Sequence, residues 1–190
     1  MIKAVLAAAT LPCLGAVAAE AAATTAPVSS ASAPCAGANL SPTATDSRTV
    51  DAATLCLIDK VRIAHHLRPL RPNHELRMLA ASQVDHMVSW NYFSDDRPPG
   101  LTPFSLASTT RYPAHARHVS VGENIGWGTG EYATPARMVA GWMASPAHRE
   151  NILARGYRDA GVGITPAVPP LVGPQIPGAT YAIEFGARRF

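Results

Sequence analysis

Between His118 and Trp127 the chain alternates with a period of two, and a carboxylate falls on the apolar side. Val119, Val121, Glu123, Ile125 and Trp127 share one parity; His118, Ser120, Gly122, Asn124 and Gly126 share the other. Such alternation specifies a β-strand with one face against a core. A carboxylate on that face is costly to bury unless it is paired, hydrogen-bonded or bound to a metal. Glu123 is therefore either a structural anchor, satisfied by backbone N–H groups or an arginine, or part of a site. In both cases the fold needs a sheet here and a layer to cover it.

Helices surround this strand in sequence. From about Val50 to His66, Val50, Thr54, Leu57, Val61 and Ala64 recur at helical spacing, with Thr49 as cap and Pro69 as stop. A second helix is expected from about Asn73 to Trp90, capped by Asn73, with Leu76, Leu79, Ala80, Gln83 and Met87 on one face. Gln83 is polar within that stripe and needs a hydrogen-bond partner if buried. Asp95 to Pro103 reads as a loop around Pro98-Pro99-Gly100. Thr134-Pro135 and Ser145-Pro146 each place a hydroxyl at the N-cap and proline at the first helical position. His148 then lies in the first turn of its helix on the face of Ile152, where the positive helix end disfavours imidazolium. It is a base or ligand, or else a cap or core histidine. Gly161–Ala167 and Ala179–Ala187 read as a closing hairpin, joined by an irregular exposed connector with four prolines. Helices and strands in this order give an α+β layered domain.

The front of the chain has a different character. Only 15% of residues are charged, against roughly 25% in typical soluble domains. Much of the deficit lies in an apolar run from Ala4 to Val17 behind Met1-Ile2-Lys3. A run this short, followed by small-x-small patterns, reads as a cleaved secretory signal over residues 1–23. Residues 24–46 read as a flexible Ala/Ser/Thr/Pro-rich leader, and 47–190 as the domain. Removal of the signal takes Cys13 with it and leaves Cys35 and Cys56. In an exported chain an even pair favours a disulfide, contributing about 3 kcal/mol by restricting the unfolded chain, over two separate thiols. The 14 arginines are scattered and the net charge is only +3, which argues against a nucleic-acid partner.

Taken in order, Val121-Gly122-Glu123-Asn124-Ile125, the run Trp142 to Leu153 containing Ser145-Pro146-Ala147-His148-Arg149-Glu150-Asn151, Gly161-Val162-Gly163 and Glu184-Phe185-Gly186 resemble the CAP superfamily. That family unites cysteine-rich secretory proteins, antigen 5 and pathogenesis-related 1 proteins, and the spacing is similar to its bacterial secreted branch. Leu55-Cys56-Leu57, Asn91-Tyr92-Phe93-Ser94 and the Cys35/Cys56 pair fit the same branch. The resemblance covers roughly Cys35 to Phe190 and implies a three-layer α-β-α sandwich with a central antiparallel sheet.

The family's cleft holds two histidines and two glutamates, which in some members bind a divalent cation. By resemblance Glu123 matches one glutamate and His148 the second histidine. Asp95 stands in place of the first histidine, Ser145 lies near the second glutamate, and Gln83 stands where many relatives have histidine. Asp95, Glu123 and His148 form an oxygen-rich set less suited to zinc than an imidazole pair, so at most a weakly held divalent cation and no tight zinc site is expected. Alternatively Asp95 and His148 form an ion pair beside a protonated or backbone-held Glu123. The binding cleft is thus expected at Asp95, Glu123, Ser145 and His148.

Three functions follow from this set. One is a secreted or periplasmic, monomeric, non-enzymatic module binding an envelope component, peptidoglycan or a lipid. Another is a hydrolase of protein or peptidoglycan with Glu123 as base and His148 as acid or metal ligand. The third is a structural or defensive protein acting through its surface. Trp127 and Trp142 are expected in the core, His65-His66 on a solvated face, His115 and His118 in an exposed loop, and Arg188-Arg189 in a solvated tail.

Overall fold

In a computed structural model the described residues are 34–43, 46–172 and 177–190. The expected signal at 1–23 and most of the leader at 24–46 lie outside them. Five helices and four strands follow in the order α1 (Ser47–Ala64), β1 (Arg71–Pro72), α2 (His74–Ser89), α3 (Pro103–Ser108), β2 (His118–Thr129), α4 (Pro135–Ala144), α5 (Pro146–Leu153), β3 (Asp159–Thr165) and β4 (Gly178–Arg189). The sheet order is β1-β3-β4-β2. The three long strands are antiparallel, as expected, and the two-residue β1 adds a parallel edge beside β3. No described helix is long and apolar enough to cross a membrane.

Helices cover both faces of the sheet. On one face α1, α4 and α5 pack Val50, Ile58, Val139, Trp142 and Ile152 against Val162, Tyr181, Ile183 and Phe185. On the other, α2 places Ala80, Val84 and Met87 over Ile125 and Ala182. Close approach of α2 depends on missing side chains: a Cβ on Gly161 or Gly163 would come within 1.9 or 2.2 Å of α2 backbone nitrogens. The result is the three-layer α-β-α sandwich.

Local chemistry explains the elements and the departures from the sequence reading. Asn73 Oδ1 accepts from Leu76 N at the start of α2, whose stripe Leu76, Leu79, Ala80, Gln83 and Met87 is buried. Thr134 caps α4 by accepting from Arg137 N, whereas Ser145 occupies the N-cap of α5 without a side-chain cap bond. Helix α1 starts after Asp46, so Thr49 is not its cap, and its buried face is Val50, Ala53, Thr54, Ile58 and Arg62. The buried face is broader than the expected stripe: Leu57 and Val61 pack on the core, and Arg62, 1% exposed, turns its guanidinium inward onto the carbonyls of Arg68, Ile152 and Tyr157. Helix α3 is absent from the sequence reading, although Thr102 caps it and Pro103 opens it. Trp127 is 39% exposed rather than core, because it lies toward the end of β2 past α2's cover, while Trp142 is buried. Arg188 is not in a solvated tail: it lies in β4, over the Tyr112 ring and 3.6 Å from Asp159. The connector after β3 is not wholly exposed, since Val168 and Pro169 are buried.

Candidate functional site

Strand β2 is an edge of the sheet, and side chains rather than another strand satisfy its outward carbonyls. Asn151 Nδ2 donates to Glu123 O at 2.9 Å and Trp142 Nε1 donates to Ile125 O at 2.9 Å. Backbone groups of Glu123 and Ile125 therefore point away from β4. In an antiparallel ladder that places Glu123 in a non-hydrogen-bonded pair, the register in which opposed side chains come closest. Its partner in that register is Glu184.

Both carboxyl side chains lie on the α2 face, and both are buried: Glu123 is 8% and Glu184 1% exposed. Among the described residues neither oxygen of Glu123 nor Oε2 of Glu184 has a hydrogen-bond partner other than the facing carboxyl. The anchor by backbone N–H groups or an arginine is thus not formed. Burial, then the charge of Glu184, pushes the Glu123 carboxyl far above its ordinary range, with Arg97 opposing. Burial likewise raises Glu184, again against Arg97. Two close buried carboxyls resist ionising together, so the pair holds on to a proton well above the usual carboxylate range.

The layer above the pair is pinned by Gln83, the polar residue in the α2 stripe. Its Nε2 donates to the carbonyls of Ser94 at 3.0 Å and Asp95 at 3.3 Å, and its Oε1 accepts from Arg97 Nε at 3.1 Å. One amide thereby fixes the segment that carries Asp95 and Arg97. Arg97 Nη2 is buried without a partner, as is His148 Nδ1. From the opposite helical layer, α5 is tied to the edge strand by Asn124 Nδ2, which donates to His148 O at 2.9 Å.

The expected residues are only partly gathered. Glu123 is buried, His148 half-buried, and Asp95 exposed. Partial burial raises the Asp95 carboxyl, and the nearby His148 draws it back. No Asp95–His148 ion pair forms within 4.0 Å among the described residues. Ser145 is half-buried at the α4–α5 junction, where its backbone N donates to Gly141 O and Trp142 O. Among the described residues no three His, Cys, Asp or Glu side chains are grouped to hold a metal ion. Sequence reasoning missed Glu184 and Arg97; the available signal for the first was its register opposite Glu123.

Cys35 and Cys56 form a disulfide spanning 21 residues.

Known proteins carry the same frame. A profile of the cysteine-rich secretory protein family, CAP, matches residues 55–167. YkwD of Bacillus subtilis (strain 168) is 32% identical over 97 residues, which cover 51% of this chain and 35% of YkwD. The chain thus spans well under half of that relative. An extracellular protein containing a SCP domain from Bacillus anthracis str. Ames superposes with TM-score 0.56 at 22% identity, covering 78% of this chain and 44% of that one. An outer surface protein from Borrelia burgdorferi superposes with TM-score 0.56 at 18% identity, covering 71% of this chain and 90% of that one. At these identities the two structures establish the fold.

Proposed function

Since the chain belongs to the CAP, or cysteine-rich secretory protein, family, we propose that it is an exported, non-enzymatic module that binds a polar envelope component at the Glu123–His148 cleft. One observation carries this reading. Apart from the contact between the Glu123 and Glu184 carboxyls, seven buried side-chain nitrogen and oxygen atoms lack a partner among the described residues, and five of them belong to Arg97, Glu123, His148 and Glu184. Folded proteins leave few such atoms, and each costs about 1–3 kcal/mol when orphaned. Their concentration at one edge of the sheet favours groups matched by something the chain does not itself supply.

The chemistry of the set selects the ligand. A protonated carboxyl and the Arg97 nitrogen offer donors, while the remaining carboxyl oxygens and His148 Nδ1 offer acceptors. A small uncharged group with both, such as an amide or hydroxyl, matches them better than a metal ion. Muropeptides from peptidoglycan present such groups; exposed Asp95 and half-buried His148 form the rim. Export is supported by the disulfide, which persists in oxidising compartments. The two superposed proteins, one extracellular and one at an outer surface, support it as well.

A hydrolase is the second reading, favoured by the Glu123–Glu184 pair: with one proton shared, one carboxyl is an acid and its neighbour a base. One experiment separates the two. Residues 24–190 are titrated with solubilised muropeptides and, in parallel, with phosphatidylglycerol vesicles, and the mixtures are analysed by mass spectrometry. The proposed reading expects saturable muropeptide binding, weakened at least tenfold by Glu123→Gln, and no new fragments. Fragment release abolished by Glu123→Gln and by Glu184→Gln would establish the hydrolase. Binding to vesicles alone, indifferent to both changes, would defeat both readings.

A further inference from the structure

At the opposite edge of the sheet from the Glu123–Glu184 pair, beside β1 and β3, lies a cavity of about 770 Å³. Helix α1 forms one wall, with Arg48, Asp51, Ala52 and Leu55; the start of α2 forms the other, with Arg77; Val162 of β3 lies between them. A volume of this order is typical of small-molecule sites, as are apolar walls bearing a few polar groups.

Asp51 is the group that needs explaining. Its side chain is 14% exposed, and its Oδ1 is buried with no hydrogen-bond partner. Its other oxygen, Oδ2, stands 3.8 Å from Arg77 Nη1, too long for a close charge-assisted hydrogen bond. Burial raises the carboxyl to about 7 in spite of Arg77. The second acid of the cavity, Asp59, is already used: its Oδ1 accepts from Leu70 N at 2.8 Å. The Arg77 side chain is 40% exposed and, among the described residues, its guanidinium otherwise reaches the Met78 sulfur, at 3.7 Å. The cavity is therefore lined by a carboxyl without a close donor next to a guanidinium with few partners, with an apolar wall beside them.

We propose that this cavity is a second binding site, for a small zwitterion of amino-acid or dipeptide type, with its ammonium on Asp51 and its carboxylate on Arg77. An ammonium supplies the Asp51 carboxyl with the close donor that Arg77, at 3.8 Å, does not provide. A carboxylate completes the Arg77 fork in the bidentate geometry guanidinium prefers. Ala52, Leu55 and Val162 pack the aliphatic side chain. An ammonium and a carboxylate carried by one small molecule match the short Asp51–Arg77 spacing, so ligand and site neutralise each other without a net buried charge. The assignment does not depend on the Glu123–His148 cleft, since the two sites share no residue.

The test uses the disulfide-bonded protein comprising residues 24–190 and the dipeptide alanyl-leucine. Binding is followed by calorimetry and by amide chemical-shift changes. The expected result is saturable binding with shifts at Ala52, Leu55 and Gly161, weakened at least tenfold by Asp51→Asn and by Arg77→Gln. N-acetylation of the probe should abolish the Asp51 effect, and C-terminal amidation the Arg77 effect. Asp51→Asn removes an unpaired buried carboxyl, so its melting temperature should not fall; a melt of each variant verifies that the fold is kept. Failure of free alanyl-leucine to bind at millimolar concentration would overturn the proposal, as would equal binding of the acetylated probe.

Discussion

Glu184 lies directly across from Glu123, and neither carboxyl can ionise without facing the other at a buried site. Both are raised above the 4.5 of an unfolded glutamate. An acid raised on folding contributes stability that is complete below its unfolded value and is lost as pH climbs toward its folded one, because the folded state then holds the extra proton. Thermal melts from pH 5 to 9 should accordingly show wild-type stability falling with pH. Glu184→Gln keeps the shape without the charge, so its profile should be flatter and its melting temperature at pH 8 higher, by roughly 1–3 kcal/mol in stability. Asp51 titrates in the same direction but is common to both proteins, so the difference isolates the pair. Parallel profiles for the two proteins would show that the carboxyls do not interact. Glu123 is legible in the sequence because it interrupts an apolar parity. Glu184 is not: Tyr181, Ile183 and Phe185 define the apolar parity of β4, so Glu184 reads as solvent-facing. Helix α2 covers that second face, and alternation then ceases to report exposure.

Elements pack here through what their residues lack as much as through what they carry. Helix α2 lies so close to β3 that a Cβ at Gly161 would stand 1.9 Å from the backbone nitrogen of Arg77. Backbone cannot yield as a side chain can, so Gly161→Ala should cost about 3 kcal/mol or more. At Gly141, inside α4, a Cβ would meet nothing within 4 Å. There alanine only reduces the freedom of the unfolded chain, and Gly141→Ala should stabilise by about 0.5–1 kcal/mol. Chemical denaturation of the pair checks both; equal effects would mean that the α2–β3 distance is not what constrains Gly161. Sequence reasoning located α2, its Asn73 cap, β2 and the hairpin strands, because periodicity and capping are local properties. It passed over α3, whose Thr102-Pro103 start repeats the chemistry used for Thr134-Pro135, because six residues offer too short a run to show a period. On α1 it found Val50, Thr54, Leu57 and Val61 but not Ala53, Ile58 and Arg62, since nothing local shows that Arg62 turns inward to reach carbonyls some ninety residues away.

At the scale of the molecule, the sheet separates two regions with different supports. The β2 edge is held by side-chain hydrogen bonds from Asn151 and Trp142. The opposite edge is held by a covalent link: Cys35 is joined to Cys56 on α1, and the segment it anchors reaches α4, where Ala136 N donates to Ala38 O at 2.9 Å. A 21-residue loop closed by the disulfide restricts the unfolded chain by about 3 kcal/mol in the entropy model. For a domain of this size that corresponds to a loss on the order of 10 °C in melting temperature. The double variant Cys35→Ser, Cys56→Ser should therefore melt at a lower temperature yet remain cooperative, because the sheet and both helical layers are assembled without it. Cys56 also lines the cavity of Asp51, so the double variant should disturb that cavity's amide shifts and leave those around Glu123 in place. Changes of equal size at both edges would mean that the sheet transmits strain across its four strands. A melting temperature equal to wild type would mean that the segment at 34–43 is held by its packing on α1 and α4 alone.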